Sequence, residues 1–94
     1  MMIAAALALA AATAAQQNLA FVEVAPAHYR ITTTLRVNAS PSAHADAQTR
    51  LMKAAERLCR GKGTATSYGA LELNQSKQHP GRMELSENYR CVRR

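Results

Sequence analysis

The chain has 94 residues, with 12 Lys and Arg against 6 Asp and Glu, a formal net charge of +6, two cysteines, one Phe, three Tyr and no Trp. That length leaves room for one hydrophobic core, and so sparse an aromatic content makes the core a poor one. No catalytic, metal or nucleotide signature rises above background, so the strong basic balance is the one compositional feature that points toward a partner, and the partner would be acidic.

Residues 1–15 (MMIAAALALAAATAA) form an apolar run ending in small residues. It is shorter than the ~20 residues of an ordinary membrane span. It has the h-region and A-x-A end of a secretory signal peptide, with Ala12-Thr13-Ala14 before a cut at Ala15 or Gln16. The n-region carries no Lys or Arg, and an alanine-rich cytosolic helix is the alternative. No cysteine follows the run, so nothing supports a lipid anchor. All the charged side chains lie beyond it. Residues 16–27 contain a short apolar piece, Phe21-Val22-Glu23-Val24, stopped by Pro26. It fits either an added edge strand or a flexible lead laid on the core.

From residue 28 to 94 the pattern is that of a single small domain. His28 to Asn38 alternates cleanly. Tyr29, Ile31, Thr33, Leu35 and Val37 fall on one face, and His28, Arg30, Thr32, Thr34, Arg36 and Asn38 on the other, which describes a half-buried strand with a wet outer face. A helix follows. Ser40 is a good N-cap with Pro41 at N1, and Ser42 is an alternative cap. Ala47, Leu51, Ala54, Ala55 and Leu58 recur at the spacing of a buried helical stripe, with Met52 and Cys59 along one flank. Asp46–Arg50 and Glu56–Arg60 are i,i+4 pairs, each worth about 0.2–0.5 kcal/mol. Arg57 and Arg60 suit the C-terminal dipole, and Gly61 suits a left-handed C′ position. Gly61-Lys62-Gly63 reads as a turn, and Thr64 to Leu73 as a second strand in which Gly69 marks a bulge. Asn74 to Arg82, with Pro80-Gly81, reads as the tip of a long hairpin. Met83 to Val92 is a third strand whose Met83, Leu85, Tyr89 and Cys91 share one parity, with Glu87 the exception.

The expected fold class is therefore α+β, one helix packed on a three-stranded sheet in the order β-α-β-β. A right-handed crossover makes the first two strands parallel and brings the helix end back to the start of the first strand. The last strand returns to the same end, so Cys59 and Cys91 meet. In an exported domain two cysteines read first as a disulfide. Closing a loop of about 32 residues stabilises by about 3–4 kcal/mol in the chain-entropy account. Free thiols are the alternative if the leader is retained in a reducing cytosol.

The leader, the Thr- and Val-rich strand, the basic helix ending in Lys53-Ala54-Ala55-Glu56-Arg57-Leu58-Cys59 and the second downstream cysteine together resemble the UrcA family of small exported bacterial proteins with a paired cysteine. The likeness covers about residues 28 to 62. It implies an exported, disulfide-bonded protein and carries over no functional residue except Cys59 and Cys91. The chain departs from the family where Ile31-Thr32-Thr33-Thr34-Leu35 replaces an aromatic-acidic-Leu motif, and after Gly61, where it is β-rich rather than helical.

Candidates for chemistry are few. His28, His44 and His79 lie on a strand, in the first helical turn and in a loop, a spacing that supports no acid–base pair. Glu72 and Glu84 could face each other across the hairpin, and Glu23 and Glu87 are the other strand carboxylates. Gly61-Lys62-Gly63-Thr64 leaves a helix instead of opening one and is no phosphate loop. The basic residues Arg30, Arg36, Arg50, Lys53, Arg57 and Arg60 are the candidate polyanion-binding set, with Arg82, Arg90, Arg93 and Arg94 elsewhere; they lie on different sides of the expected fold. No metal or cofactor is expected, nor a transmembrane span. The function expected first is that of a non-enzymatic accessory protein of the periplasm, or secreted, that touches another envelope protein through a sheet edge or face. The second is an electrostatic binder of lipopolysaccharide, acidic envelope polymer or lipid head groups. Nucleic acid is the less favoured polyanion because the tyrosines are assigned to the core. A small basic nuclease comes third.

Overall fold

The computed structural model describes residues 19–93, and the expected signal peptide lies outside them. Strand β1 (Leu19–Ala25) turns back into β2 (His28–Arg36), helix α1 (Pro41–Leu58) follows, and β3 (Thr64–Gln75) and β4 (Arg82–Val92) complete one four-stranded sheet in the order β1-β2-β4-β3. Every neighbouring pair is antiparallel. The class is α+β with the helix on one face, but the sheet has four strands where three were expected. The segment that sequence reading left between a lead and an edge strand is that fourth strand. Its partner is β2, in the register Phe21 opposite Ile31 and Val22 opposite Arg30. The strands β2 and β3 do point the same way, as a crossover requires, but β4 sits between them and pairs with both.

Local chemistry accounts for the elements. Ser40 caps α1, its Oγ accepting from the Ala43 N–H at 3.2 Å, and Pro41 fills the first turn, where its missing N–H costs nothing. Ser42 is inside the helix, its hydroxyl hydrogen-bonded to that of Ser40. The chain leaves the helix at Cys59 through a turn closed by the Lys62 N–H donating to the Cys59 carbonyl at 2.7 Å, and the left-handed residue of that turn is Gly61. In β3 the register slips between Tyr68 and Glu72, and Gly69, with φ +75°, supplies the bulge that its position predicts. Val37 departs from its expected face. The strand ends at Arg36, the chain turns to reach Ser40, and Val37 is 52% exposed, its N–H donating to the Gly81 carbonyl.

The core lies between α1 and the two central strands. Tyr29, Ile31, Thr33 and Leu35 from β2, Leu85 and Tyr89 from β4, and Ala47, Leu51, Ala54 and Ala55 from α1 are all buried. Three of the four fully buried helical side chains are alanines, which lets the helix sit close on the sheet but removes little apolar surface from water. Leu58 and the Ala65 side chain pack at the margin. Met52, on the expected flank, is half exposed.

The Cys59–Cys91 disulfide closes the structure at the helix C-terminus, with a Cα–Cα distance of 5.3 Å. Cys59 is almost wholly buried, and Cys91 stands opposite Ala65 on β4. Beside it Gly63, at φ +131°, lies so close to the end of β4 that a Cβ there would collide with the Val92 carbonyl. Two predictions follow from this corner. Replacing both cysteines by Ser lowers the unfolding free energy by about 3–4 kcal/mol in denaturant titration. Gly63→Ala, with the disulfide intact, costs about 1–3 kcal/mol, because both the backbone angle and the carbonyl contact must give; a loss below the usual surface-mutation scatter of about 0.5 kcal/mol would contradict this packing.

Candidate anion-binding site

The helix and the sheet divide the candidate basic residues between two surfaces. Arg30 and Arg36 are on the face of the sheet turned away from α1, by the parity of β2. Arg50, Lys53, Arg57 and Arg60 are on the helix side. The expected set is therefore not one patch.

On the helix, Arg50, Lys53, Arg57 and Arg60 are spaced three, four and three residues apart, so they line one exposed flank over about 15 Å of helix axis or its immediate extension. That flank is the one away from β4, since Cys59 and its bridge occupy the other. Arg50 shows the direction: its guanidinium donates to Thr33 Oγ1 of β2 at 3.4 Å. This contact takes Arg50 off its expected i,i+4 partner. Neither Asp46–Arg50 nor Glu56–Arg60 forms an ion pair, and Arg30–Glu72 is the one ion pair among the described residues.

At its C-terminal end the flank meets the disulfide. Arg60 follows Cys59 and Arg90 precedes Cys91, so the cross-link gathers Arg57, Arg60, Lys62, Arg90 and Arg93 at one end of the molecule. Arg90 projects from the open sheet face, while the exposed Lys62 folds back onto Tyr29. Its Nζ donates to Tyr29 Oη at 2.7 Å and stands 5.4 Å from the centroid of the same ring. The hydrogen bond and the attraction of the Tyr29 oxygen raise the Lys62 pKa above its ordinary value. Lys62, Arg90 and Arg93 were not grouped from the sequence. Their closeness in the chain to Cys59 and Cys91 is the signal that places them together once the bridge is assumed.

The middle of the open face of the sheet is polar, and its groups are paired with one another. Arg30 is paired with Glu72, Thr32 Oγ1 and Ser86 Oγ share a hydrogen bond of 2.7 Å, and His28 meets Tyr68 edge-on with centroids 5.6 Å apart. The carboxylates do not form a dyad. Glu72 holds Arg30, Glu84 accepts from Ser76 Oγ, Glu23 accepts from the Ala27 N–H, and Glu87 accepts from Tyr89 Oη at 2.7 Å. The histidines are scattered. His28 stands at the disulfide end with its Nδ1 2.8 Å from the Pro26 carbonyl, while His44 and His79 lie at the other end in α1 and the hairpin loop. No group of three metal-ligating side chains occurs among the described residues, and no helix there is long and apolar enough to cross a membrane. The chain matches no protein-family model, no curated protein and no solved structure.

The core hydroxyl of Tyr89 has a titration consequence. Burial, reinforced by the hydrogen bond to the Glu87 carboxylate, holds its pKa well above the ordinary 10.0. Below that ordinary value Tyr89 is neutral both folded and unfolded. Above it the unfolded chain ionises while the folded one keeps its proton, so its stabilising share is full below about pH 10 and is lost as pH rises toward the raised native value. Lys62, also raised, acts with the same sign. Denaturation midpoints should therefore fall above about pH 10, and Tyr89→Phe should flatten that fall.

Proposed function

We propose that this is an exported, non-enzymatic binding protein of the periplasm or extracellular space that holds anionic polymers or anionic lipid head groups through the basic flank of α1 and the basic end beside the disulfide. The observation that carries the reading is the placement of Arg50, Lys53, Arg57 and Arg60 in one line ending at the Cys59–Cys91 bridge, none of them in an ion pair. Such a line gives a polyanion several simultaneous contacts, with binding driven by counterion release and weakened by salt. A disulfide that closes a small core persists in an oxidising compartment, and the leader at residues 1–15 and the UrcA-like run ending at Cys59 agree with export. The absence of a juxtaposed acid–base pair gives a nuclease reading no support.

The test is retention of the mature protein on heparin and on lipopolysaccharide. The parent should bind near physiological ionic strength and elute with moderate salt. Gln at positions 50, 53, 57 and 60 together should lower the eluting salt sharply, with about 0.7–0.9 lost from the log–log salt slope per contact removed. Gln at 30 and 77, outside both this flank and the sheet margin, should change it far less than Gln at 53 and 57, which removes as many charges. Equal losses from the two sets would leave net charge, not a site, as the cause and would sink the proposal.

A second reading, contact with another envelope protein at the sheet edge, is favoured by β1. This edge strand exposes Phe21 at 57%, Val22 at 62% and Val24 at 53%, and a strand from a partner could extend the sheet there. On that reading Val22→Lys shifts the protein's size-exclusion position in envelope extract and leaves heparin retention unchanged.

A further inference from the structure

At the end of the molecule opposite the disulfide, β2 and β4 finish on two arginines. Arg36 and Arg82 are directly opposite in the antiparallel ladder, and both belong to the parity that faces away from α1. Like charges at facing positions of a ladder repel, and here no acid intervenes. Among the described residues neither guanidinium has a carboxylate within ion-pair distance. The nearest acidic residue on that face, Glu84, is one rung inward opposite Thr34, and its Oε2 accepts from Ser76 Oγ. The Arg82 backbone is held on both sides, its N–H donating to the His79 carbonyl and its carbonyl accepting from the Ser76 N–H. The Val37 N–H donates to the Gly81 carbonyl and ties the two chain segments together. Between them lies an open cleft of about 470 Å³ lined by Arg36, Val37, Asn38, Pro80, Gly81 and Arg82. Gly81 is at φ +81° with nothing within 4 Å of where a Cβ would be, so the turn leaves the cleft clear.

We propose that Arg36 and Arg82 form a site for one tetrahedral oxyanion, phosphate or sulfate, either free or as the terminal group of a larger molecule. The guanidinium fork matches such oxygens with paired charge-assisted hydrogen bonds, and Asn38 in the cleft wall offers amide donors. A single anion between the two arginines turns a repulsive rung into a bridged one. The cleft has many times the ~30 Å³ share of a water molecule, which leaves room for the rest of a phosphorylated or sulfated ligand beyond its terminal group. This site stands apart from the helix flank and does not depend on the polyanion reading.

Titration with inorganic phosphate, sulfate and acetate, followed by backbone and arginine Nε–Hε NMR shifts, tests it. Phosphate or sulfate should give saturable shifts confined to residues 36–38 and 80–82. Arg36→Gln and Arg82→Gln should each weaken binding at least tenfold, while the variant with Gln at 50, 53, 57 and 60 binds as the parent does. Both single variants should melt no lower than the parent in buffer free of oxyanions, which separates loss of the site from loss of the fold. Shifts that do not saturate, that spread equally over all arginines, or that acetate reproduces at equal concentration would overturn the assignment. To separate sources, a methyl phosphate ester is compared with inorganic phosphate: equal binding assigns the site to a terminal group of a larger molecule, and binding of the free ion alone restricts it to the ion.

Discussion

The disulfide between the end of the helix and the end of β4 is the constraint on which this structure depends. The interface that it closes is thin: the buried stripe of α1 is mainly alanine, and the sheet answers it with two tyrosines, a leucine pair, one isoleucine and a threonine. Alanine gives close approach and a strong helix, but each one buries little. A domain with so small a core has limited means to resist unfolding, and a covalent link that shortens the unfolded chain's freedom compensates without needing more apolar surface. The bridge also sets positions. It fixes the helix exit against the Gly63–Val92 contact, so the turn from Cys59 to Lys62 has one way to run, and Lys62 then reaches Tyr29.

The helix covers β2 and β4 but leaves the two edge strands differently finished. At one edge β1 exposes Phe21, Val22 and Val24, while Leu19 packs at the core margin and Phe21 stands edge-on to Tyr29 with centroids 6.2 Å apart. At the other, β3 is long, bulged at Gly69 and largely polar, a form that discourages pairing with a further strand. The open face is closed chemically instead of sterically. The hydroxyl pair Thr32–Ser86 and the ion pair Arg30–Glu72 tie its middle together, with Arg36 and Arg82 at one margin and Arg90 at the other outside any ion pair among the described residues.

Much of this was legible in the residues because the signals were local. Period-two alternation identified the buried face of β2, Ser40-Pro41 identified the helix start, Gly69 the bulge, and the relation of helix end to last strand the cysteine pairing. What escaped was what tertiary competition decides. Strand order depends on which strand is best buried on both sides, and β4 hides that in its pattern. Glu87 breaks the apolar parity by standing opposite Ile31, where it serves Tyr89, while Ser86 is buried on the other face as the partner of Thr32. The pattern of β1 is short and not alternating, because most of the strand is exposed and only Leu19 reaches the core margin. Val37 kept strand parity past the point where the chain turns. That the polyanion set divides between helix and sheet was legible from strand parity and the helical stripe; what escaped was that the bridge brings Lys62, Arg90 and Arg93 to the end where the helical flank stops. Of the i,i+4 ion pairs, Asp46–Arg50 is missing where a tertiary acceptor, Thr33, takes the Arg50 guanidinium, and Glu56–Arg60 is missing where Arg60 lies past the helix end, its N–H donating to the Arg57 carbonyl.

The location of the charge and the location of the cross-link are connected. Arg57 and Arg60 on the helix side and Arg90 and Arg93 beside the sheet stand at the same end of the molecule, and without the bridge their mutual repulsion would act on the junction between helix end and β4. The helix dipole offsets part of that repulsion for Arg57 and Arg60 but none for those on β4. The covalent bond holds the charges together regardless of the field, so the concentration of positive potential that a polyanion would meet need not be balanced by acids in the fold itself. Salt weakens the repulsion over about 8–10 Å, so that, if polyanions are held as proposed, it would weaken their binding and relieve the junction at once. A counter-charged ligand differs from salt in this respect, because it relieves the junction by occupying the same groups. Stabilisation by a bound polyanion should therefore be greatest where the cysteines are reduced, since there the ligand and the missing bond oppose the same separation of helix from strand.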